Sequence, residues 1–339
     1  MSDWIALPQG PLAGRSGLTE FVTPDFGHLY VPATILHRGR TAFQEIEILE
    51  TPTFGRVLFL DGKIQLSYLD EERYHQYLVQ GPLLCHPQPR SILIIGGGDG
   101  GAIEEACKHR GLTRIVMAEL DREVVAKSRE LLPQISRGAF DDARVELRFS
   151  DALADLKQGS DLYDVIIVDL TEPHGPSKML YTQEFYHLLT TRLTRGGLIG
   201  IHTDNYWLFP ESYSTIFQTL RAVFGDHLAT AQVGMPCFGM DWSFRIASPE
   251  PIDLDRLARN FETAVAAGMR LDAFEPSVYR VQPTAQERGI LKTYGRVSTD
   301  AQPFDKFAHG PSFITGRIAA SGAAAGSADP STSAQPPTA

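Results

Sequence analysis

SILIIGGGDGGAIEEACKHR, residues 91–110, decides how this 339-residue chain folds. Five residues without a charge, four of them Leu or Ile, run straight into three glycines, Gly96, Gly97 and Gly98. Asp99 follows, then two more glycines open a helical pattern. An unbroken apolar run is what a strand buried on both faces requires. Glycines at its end let the backbone turn tightly and let a ligand approach where a Cβ would stand in the way. The stretch therefore predicts strand, tight turn and helix. It lacks the lysine and Ser/Thr of a phosphate-binding loop, which argues against a nucleoside triphosphatase.

Downstream the pattern repeats. RIVMAEL (114–120), RVELRF (144–149), YDVIIVDL (163–170) and GLIGIHT (197–203) read as further strands. AIEEACKHR, REVVAKSRELL and TQEFYHLLTTRL read as the helices between them, with one more helix around 212–224. Apolar strands alternating with helices predict a mainly parallel sheet covered on both faces, a Rossmann-like α/β fold. DHLATAQVG and DWSFRIAS then add antiparallel strands at the sheet's end. Upstream, FQEIEILE (43–50) alternates like a strand, and RVLFLDGKIQLSYLD (56–70) reads as a hairpin turning at Asp61-Gly62. DEERYHQYLVQGPLL (70–84) reads as helical. Four zones result: a β-rich domain over 1–88, the α/β domain over 89–250, an extension over 251–317 packed on it, and an Ala/Ser/Pro/Gly tail over 318–339. The tail lacks large apolar side chains after its first residue, so disorder is expected there.

Composition limits the function. Apolar residues make up 43%, enough for a sizeable core, which excludes global disorder. Forty-one acids against 31 Lys and Arg give a net charge of -10, the opposite of a general nucleic-acid binder. Cys85, Cys107 and Cys237 lack CxxC spacing, so neither a disulfide framework nor a structural zinc site is expected. MSDWIALPQG shows no signal-peptide pattern, and no apolar run reaches membrane-span length. A cytoplasmic protein with no membrane or nucleic-acid partner is the expectation.

Acids recur at the strand ends. Glu119, with Asp121 two residues on, lies about where an acid accepts the ribose hydroxyls of an adenosine ligand. Asp99 is less ordinary: it would oppose a pyrophosphate at the helix start but suits a sulfonium or an ammonium, which favours an S-adenosyl compound over a dinucleotide. Asp151 is open between accepting from the adenine amino group and capping the following helix. Asp169 and Glu172 end the fourth strand, in a loop shaped by Pro173 and Pro176. In an open parallel sheet these acids converge on one edge, where a cationic ligand or a metal would relieve their repulsion. The histidine and carboxylate spacings of a metal site are absent, so no metal is expected.

In combination, LDGKIQLSYLDEERYHQYL, HPQPRSILIIGGGDGGAIEE, AELD, YDVIIVDLTEPHGP and LYTQEFY resemble the polyamine aminopropyltransferases, the spermidine and spermine synthase family. The resemblance runs from about residue 43 to about 282, where MRLDAFEPSVYRVQ is similar to a variant of the family's closing region. It implies transfer of the aminopropyl group of decarboxylated S-adenosylmethionine, a co-substrate, to an amine, with release of methylthioadenosine and no cofactor. It implies that Asp99 holds the donor's propylamine, Glu119 the ribose and Asp151 the adenine side, with Gly96 and Gly98 in the turn and Gln44 and Gln65 assisting. Asp169 is then the base, Glu172 binds an acceptor ammonium, and Tyr74 and His75 line the acceptor's approach. Homodimers or homotetramers are the implied assemblies.

The departures gather on the acceptor side. Asp169-Leu-Thr-Glu172-Pro replaces the common DSSDP or DSTDP, and its DL start resembles the thermospermine synthase branch. His202 stands where glutamine is usual, with Asp204 nearby as a further acid. Phe238 stands where an acceptor-binding tyrosine is common, and Asp241 is open between compensating for it and being a solvated loop residue. Putrescine, giving spermidine, is the simplest acceptor; spermidine, agmatine and cadaverine are the alternatives. A methyltransferase-like enzyme and a non-catalytic polyamine-binding homologue are the rival classes. Asp99 disfavours the carboxylate of intact S-adenosylmethionine.

Overall fold

The computed structural model describes residues 3–307 except 8, 11, 12, 24 and 25. The expected tail over 318–339 lies outside the described residues, as do residues 308–317 of the expected extension.

The N-terminal strands form two antiparallel sheets. The first joins β1 (Asp3–Ala6), β2 (Ser16–Thr23) and β3 (Phe26–Tyr30) in that order. The second joins β4 (Thr34–Arg40), β5 (Glu45–Thr51), β6 (Gly55–Leu60) and β7 (Lys63–Ser67). The hairpin expected at Asp61-Gly62 connects β6 and β7, with φ of 48° and 73° at its two turn residues. Positive φ at both central positions matches the right-handed twist of the strands it joins.

A broken helix leads into the main domain: α1 (Glu71–His75), a π-helical turn (Gln76–Gln80) and α2 (Gly81–Cys85). The alternating elements follow as β8 (Ser91–Gly96), α3 (Gly101–Cys107), β9 (Arg114–Glu119), α4 (Arg122–Leu131), α5 (Pro133–Ser136), β10 (Val145–Phe149), α6 (Ala152–Gln158), β11 (Tyr163–Asp169), α7 (Gln183–Thr190) and β12 (Leu193–His202). After α8 (Pro210–Phe224) come β13 (Leu228–Met235) and β14 (Met240–Ala247), and beyond the sheet α9 (Leu254–Ala266) and α10 (Ala285–Thr293).

The seven strands are ordered β10-β9-β8-β11-β12-β14-β13. The first five are parallel, and β14 and β13 are antiparallel additions at one edge. The strands are buried on both sides. Ile92, Ile94, Val165 and Ile167 face one core, and Leu93, Ile95, Ile166 and Val168 face the other. This is the expected Rossmann-like α/β core with a small β-rich N-terminal part.

The order also fixes where a ligand can enter. The chain leaves β8 toward β9 and β10, then returns to β11 on the opposite side. Connections diverge at the carboxyl ends of β8 and β11, and a crevice opens there. Asp169 pairs in register with Gly96, so the two most informative sequence features end side by side. A Cβ at Gly96, where φ is 82°, would stand 2.1 Å from the Asp169 carbonyl oxygen. Among the described residues no helix is long and apolar enough to cross a membrane.

Candidate active site

The site is built around the ends of β8 and β11. Tyr74, on α1, donates a hydrogen bond to Asp169 Oδ1 at 3.0 Å. Asp169 Oδ2 is buried and has no partner. Burial, together with the neighbouring Asp99 charge, pushes the Asp169 carboxyl up to about 7. Asp99 Oδ1 accepts from the Gly101 backbone N–H at 2.8 Å and lies 3.2 Å from His75 Nε2. On its other side the His75 ring meets Glu71, Nδ1 to Oε2 at 3.1 Å. Burial works against a charge on His75, but Asp99 and Glu71 outweigh it and hold the imidazolium well above its usual range. The same pairing keeps Asp99 ionised: burial alone would raise it, and the His75 charge brings it below the ordinary carboxyl value.

Ligand atoms of His75, Asp99 and Asp169 lie within 4.8 Å of one another. A metal ligand must present a lone pair. Both His75 nitrogens face carboxylates, Glu71 at Nδ1 and Asp99 at Nε2.

The expected donor residues divide. Gly98 lies against Glu119: a Cβ there would stand 3.0 Å from Glu119 Oε2. Burial raises Glu119 to about 7, and its Oε1 accepts from the Asp121 backbone N–H at 2.9 Å. Asp121 caps α4 and receives hydrogen bonds from Thr41 at 2.7 Å and Gln44 at 3.0 Å. Gln44 is thereby tied to the glycine-turn side, through an acid whose carboxylate is fully engaged. Asp151 caps α6, accepting from Leu153 and Ala154, and is exposed. Its capping reading is realised in the structure.

The expected acceptor residues also divide. A cleft holding about 590 Å³ of empty space, its open mouth included, is bounded by Gln65, Tyr74, Glu172, His202, Phe238 and Trp242. Gln65, expected on the donor side, thus faces this cleft. His75, expected on the acceptor's approach, is not among the residues that bound it and lies against Asp99 and Gly101. Asp241, expected either to compensate at Phe238 or to be a solvated loop residue, lies outside the cleft's lining. It is exposed and lines a hollow with Trp207 and Asn205 that adjoins the cleft through Met240. Cys237, near the cleft in sequence, has a buried thiol that burial pushes well above its usual range, so it offers no nucleophile.

His202 Nε2 lies 2.6 Å from the Leu170 carbonyl oxygen, which makes that nitrogen the donor. Its Nδ1 is buried without a partner, and burial holds the ring below the usual histidine value, hence neutral.

Several residues of the cleft were not singled out in the sequence. Glu20, Val22 and His28 reach it from the inner face of the first sheet, Lys63 from the β6–β7 hairpin, and Lys306 and Phe307 from the chain beyond α10. Burial pushes Glu20 up to about 7, although Lys63 lies 4.0 Å away. Lys306 is 2.8 Å from Asp204 and 3.3 Å from Glu172. Burial disfavours its charge, but the two acids outweigh burial and raise it. Glu172 in turn would be raised by burial and is instead drawn down to about 2 by Lys306. Glu71, outside the cleft and likewise not singled out, had a local signal, its spacing of four residues from His75 on one helix.

Known proteins resemble the chain throughout this region. Residues 71–256 match the model of the spermine/spermidine synthase domain, and residues 18–67 that of the spermidine synthase tetramerisation domain. Polyamine aminopropyltransferase 2 of Pseudomonas aeruginosa is 39% identical over 251 residues, covering 71% of this chain and 70% of that protein. The polyamine aminopropyltransferase of Bacillus subtilis is 37% identical over 231 residues, covering 68% of this chain and 83% of that one. The crystal structure of spermidine synthase from Thermotoga maritima superposes with a TM-score of 0.72 at 26% identity, covering 81% of this chain and 93% of that one. A strand-end acid beside a glycine turn, a tyrosine-held aspartate and these matches lead to one conclusion: the chain belongs to the polyamine aminopropyltransferase family of spermidine and spermine synthases.

Proposed function

We propose that the protein transfers the aminopropyl group of decarboxylated S-adenosylmethionine to an amine and releases methylthioadenosine, with putrescine as acceptor and spermidine as product. Family membership supports aminopropyl transfer in general. The observation that carries the reading is Asp169, a buried carboxyl held at about 7, with one oxygen on Tyr74 and the other unpartnered.

The chemistry needs no electrophilic activation, because a carbon attached to a sulfonium is already electrophilic. The difficulty lies with the acceptor, since an aliphatic amine is mostly protonated near neutral pH. Asp169 takes that proton onto its free oxygen, and a group titrating near the working pH does this well. The amine's lone pair then attacks the propyl carbon, the new C–N bond forms, and the C–S bond breaks. The sulfur keeps the electron pair and leaves as a neutral thioether. Holding both reactants against Asp169 supplies much of the rate.

In this reading Asp99, kept ionised by His75, holds the donor's propylammonium. Glu119 takes the ribose beside Gly98, Asp151 lies on the adenine side, and Gly96 allows the close approach. Gln44 acts through Asp121, and Gln65 faces both substrates. Tyr74 positions Asp169, while Glu172 and His202 Nδ1 receive the acceptor's far end. Phe238 contributes an apolar wall. The N-terminal region supports self-association as a dimer or tetramer.

The test is methylthioadenosine release by the purified chain, given decarboxylated S-adenosylmethionine and a panel of amines. Release with putrescine is expected. No release with any amine overturns the reading. Tighter binding of intact than of decarboxylated S-adenosylmethionine would favour the methyltransferase class instead.

A further inference from the structure

The acceptor cleft already contains an alkylammonium, and it belongs to the protein. Lys306 arrives on the segment that follows α10. That segment is folded by a bridge between Thr299 and Gln302 and fastened by the Lys306 backbone N–H on the Pro173 carbonyl oxygen at 2.7 Å. The Lys306 side chain is only 3% exposed. Its ammonium lies 2.8 Å from Asp204 Oδ2, 3.3 Å from Glu172 Oε1, 3.6 Å from the centre of the Phe209 ring and 5.7 Å from that of Trp242. Phe307 adds a third ring at 5.4 Å, and carboxylates with aromatic faces are what a protein uses to hold an alkylammonium.

The occupied cage changes what the cleft can accept. Asp204 is 2% exposed and does not line the cleft, whereas Glu172 lines it and is still 21% exposed. On the other wall Lys63 stands 4.0 Å from Glu20 and 5.3 Å from the Phe307 ring. Glu20, Glu172 and Asp204 therefore already face a lysine. In the transfer reading an incoming amine has Asp169, bonded to the cleft residue Tyr74, for its reacting end and the exposed part of Glu172 for one further ammonium. A third ammonium would have to enter the cage that Lys306 fills, against a like charge.

We propose that Lys306 is a specificity residue, whose ammonium fills the inner cage of Glu172, Asp204, Phe209 and Trp242 and so confines the acceptor to a diamine, turning away a triamine. This rests on the aminopropyl-transfer reading above.

The experiment compares kcat/KM for spermidine and for putrescine by methylthioadenosine release, in the parent, Lys306→Met and Lys306→Arg. The parent is expected to prefer putrescine by about tenfold or more. Lys306→Met keeps the aliphatic stem, removes the charge and is expected to raise the spermidine-to-putrescine ratio about tenfold, or ~1.4 kcal/mol. Lys306→Arg keeps the charge and is expected to hold the parent's ratio. A parent that uses both amines equally overturns the proposal without any variant, which covers the case in which Lys306→Met fails to fold. So does an unchanged ratio in a folded Lys306→Met. If the parent releases no methylthioadenosine at all, it is the transfer reading that fails. Calorimetry of spermidine binding then tests the cage alone: about tenfold tighter binding to Lys306→Met than to the parent upholds it, and equal affinity overturns it.

Discussion

Asp169 keeps its proton over a range where a free aspartate would have lost it, because it is buried and faces Asp99. As the base it acts only when ionised, so kcat/KM for the acceptor is expected to rise with pH through an apparent pKa of about 7. Tyr74 donates to the ionised form, and removing that bond disfavours ionisation. Tyr74→Phe should therefore move the rising limb upward, by about one unit. A profile that stays put in this variant would detach Tyr74 from the base. Asp169→Asn should lower kcat by about 10²-fold or more while leaving donor affinity, read by calorimetry, within a few-fold. The same substitution has an opposite effect on stability. The folded carboxyl titrates higher than the unfolded one, so its contribution is present at low pH and lost as pH rises through about 7. Asparagine stays neutral, so Asp169→Asn should gain stability relative to the parent as pH rises from about 4 to about 7, with no further gain above that, measured by urea unfolding.

At the scale of the element, α1 and α3 meet at one glycine. A Cβ at Gly101 would lie 2.2 Å from His75 Cε1, and that ring is pinned between Glu71 and Asp99. Replacing glycine by alanine in a helix usually stabilises it. Here the ring cannot retreat, so Gly101→Ala should cost about 1–3 kcal/mol and weaken donor binding by disturbing Asp99. Gly289 in α10 has nothing within 4 Å of its missing Cβ, so Gly289→Ala should instead add up to about 1 kcal/mol. Thermal unfolding of the two variants checks the opposite signs. The contrast also shows what could be read from the sequence. The glycine turn, the strands of the parallel sheet and the acids at their ends were legible because each is set by residues a few positions apart. The hairpin at Asp61-Gly62 was legible for the same reason. The pairing of Lys306 with Glu172 and Asp204 was not, because it joins residues more than a hundred positions apart and no local spacing encodes it. The contact of His75 with Asp99 is equally silent in the sequence: its neighbour Tyr74 reaches Asp169, while the helix turns His75 to Asp99.

In the whole molecule, the two faces of the first N-terminal sheet have different duties. On one face Glu20, Val22 and His28 close the cleft. The register pairs Ile5 with Gly17 and Thr19 with Leu29, which puts Ile5, Phe21 and Leu29 together on the other face. Those three side chains are 43%, 55% and 44% exposed, although they are apolar. Exposed apolar side chains grouped on one sheet face mark a surface that another protein covers. Residues 18–67 match a tetramerisation domain, so the expected cover is a second copy of the chain. Light scattering of the purified protein should then give two or four times 37.4 kDa. A Phe21→Asp, Leu29→Asp double variant should shift that mass toward a single chain, since a buried charge without a partner is costly. Both residues lie on strands that also carry cleft residues, so dissociation should loosen that wall. KM for the acceptor is therefore expected to rise several-fold in the dissociated variant, while donor affinity changes little, because Asp99 and Glu119 belong to the other domain. A parent that is monomeric at micromolar concentration would remove the interface. A variant that dissociates with KM unchanged would leave the interface in place and uncouple it from the cleft.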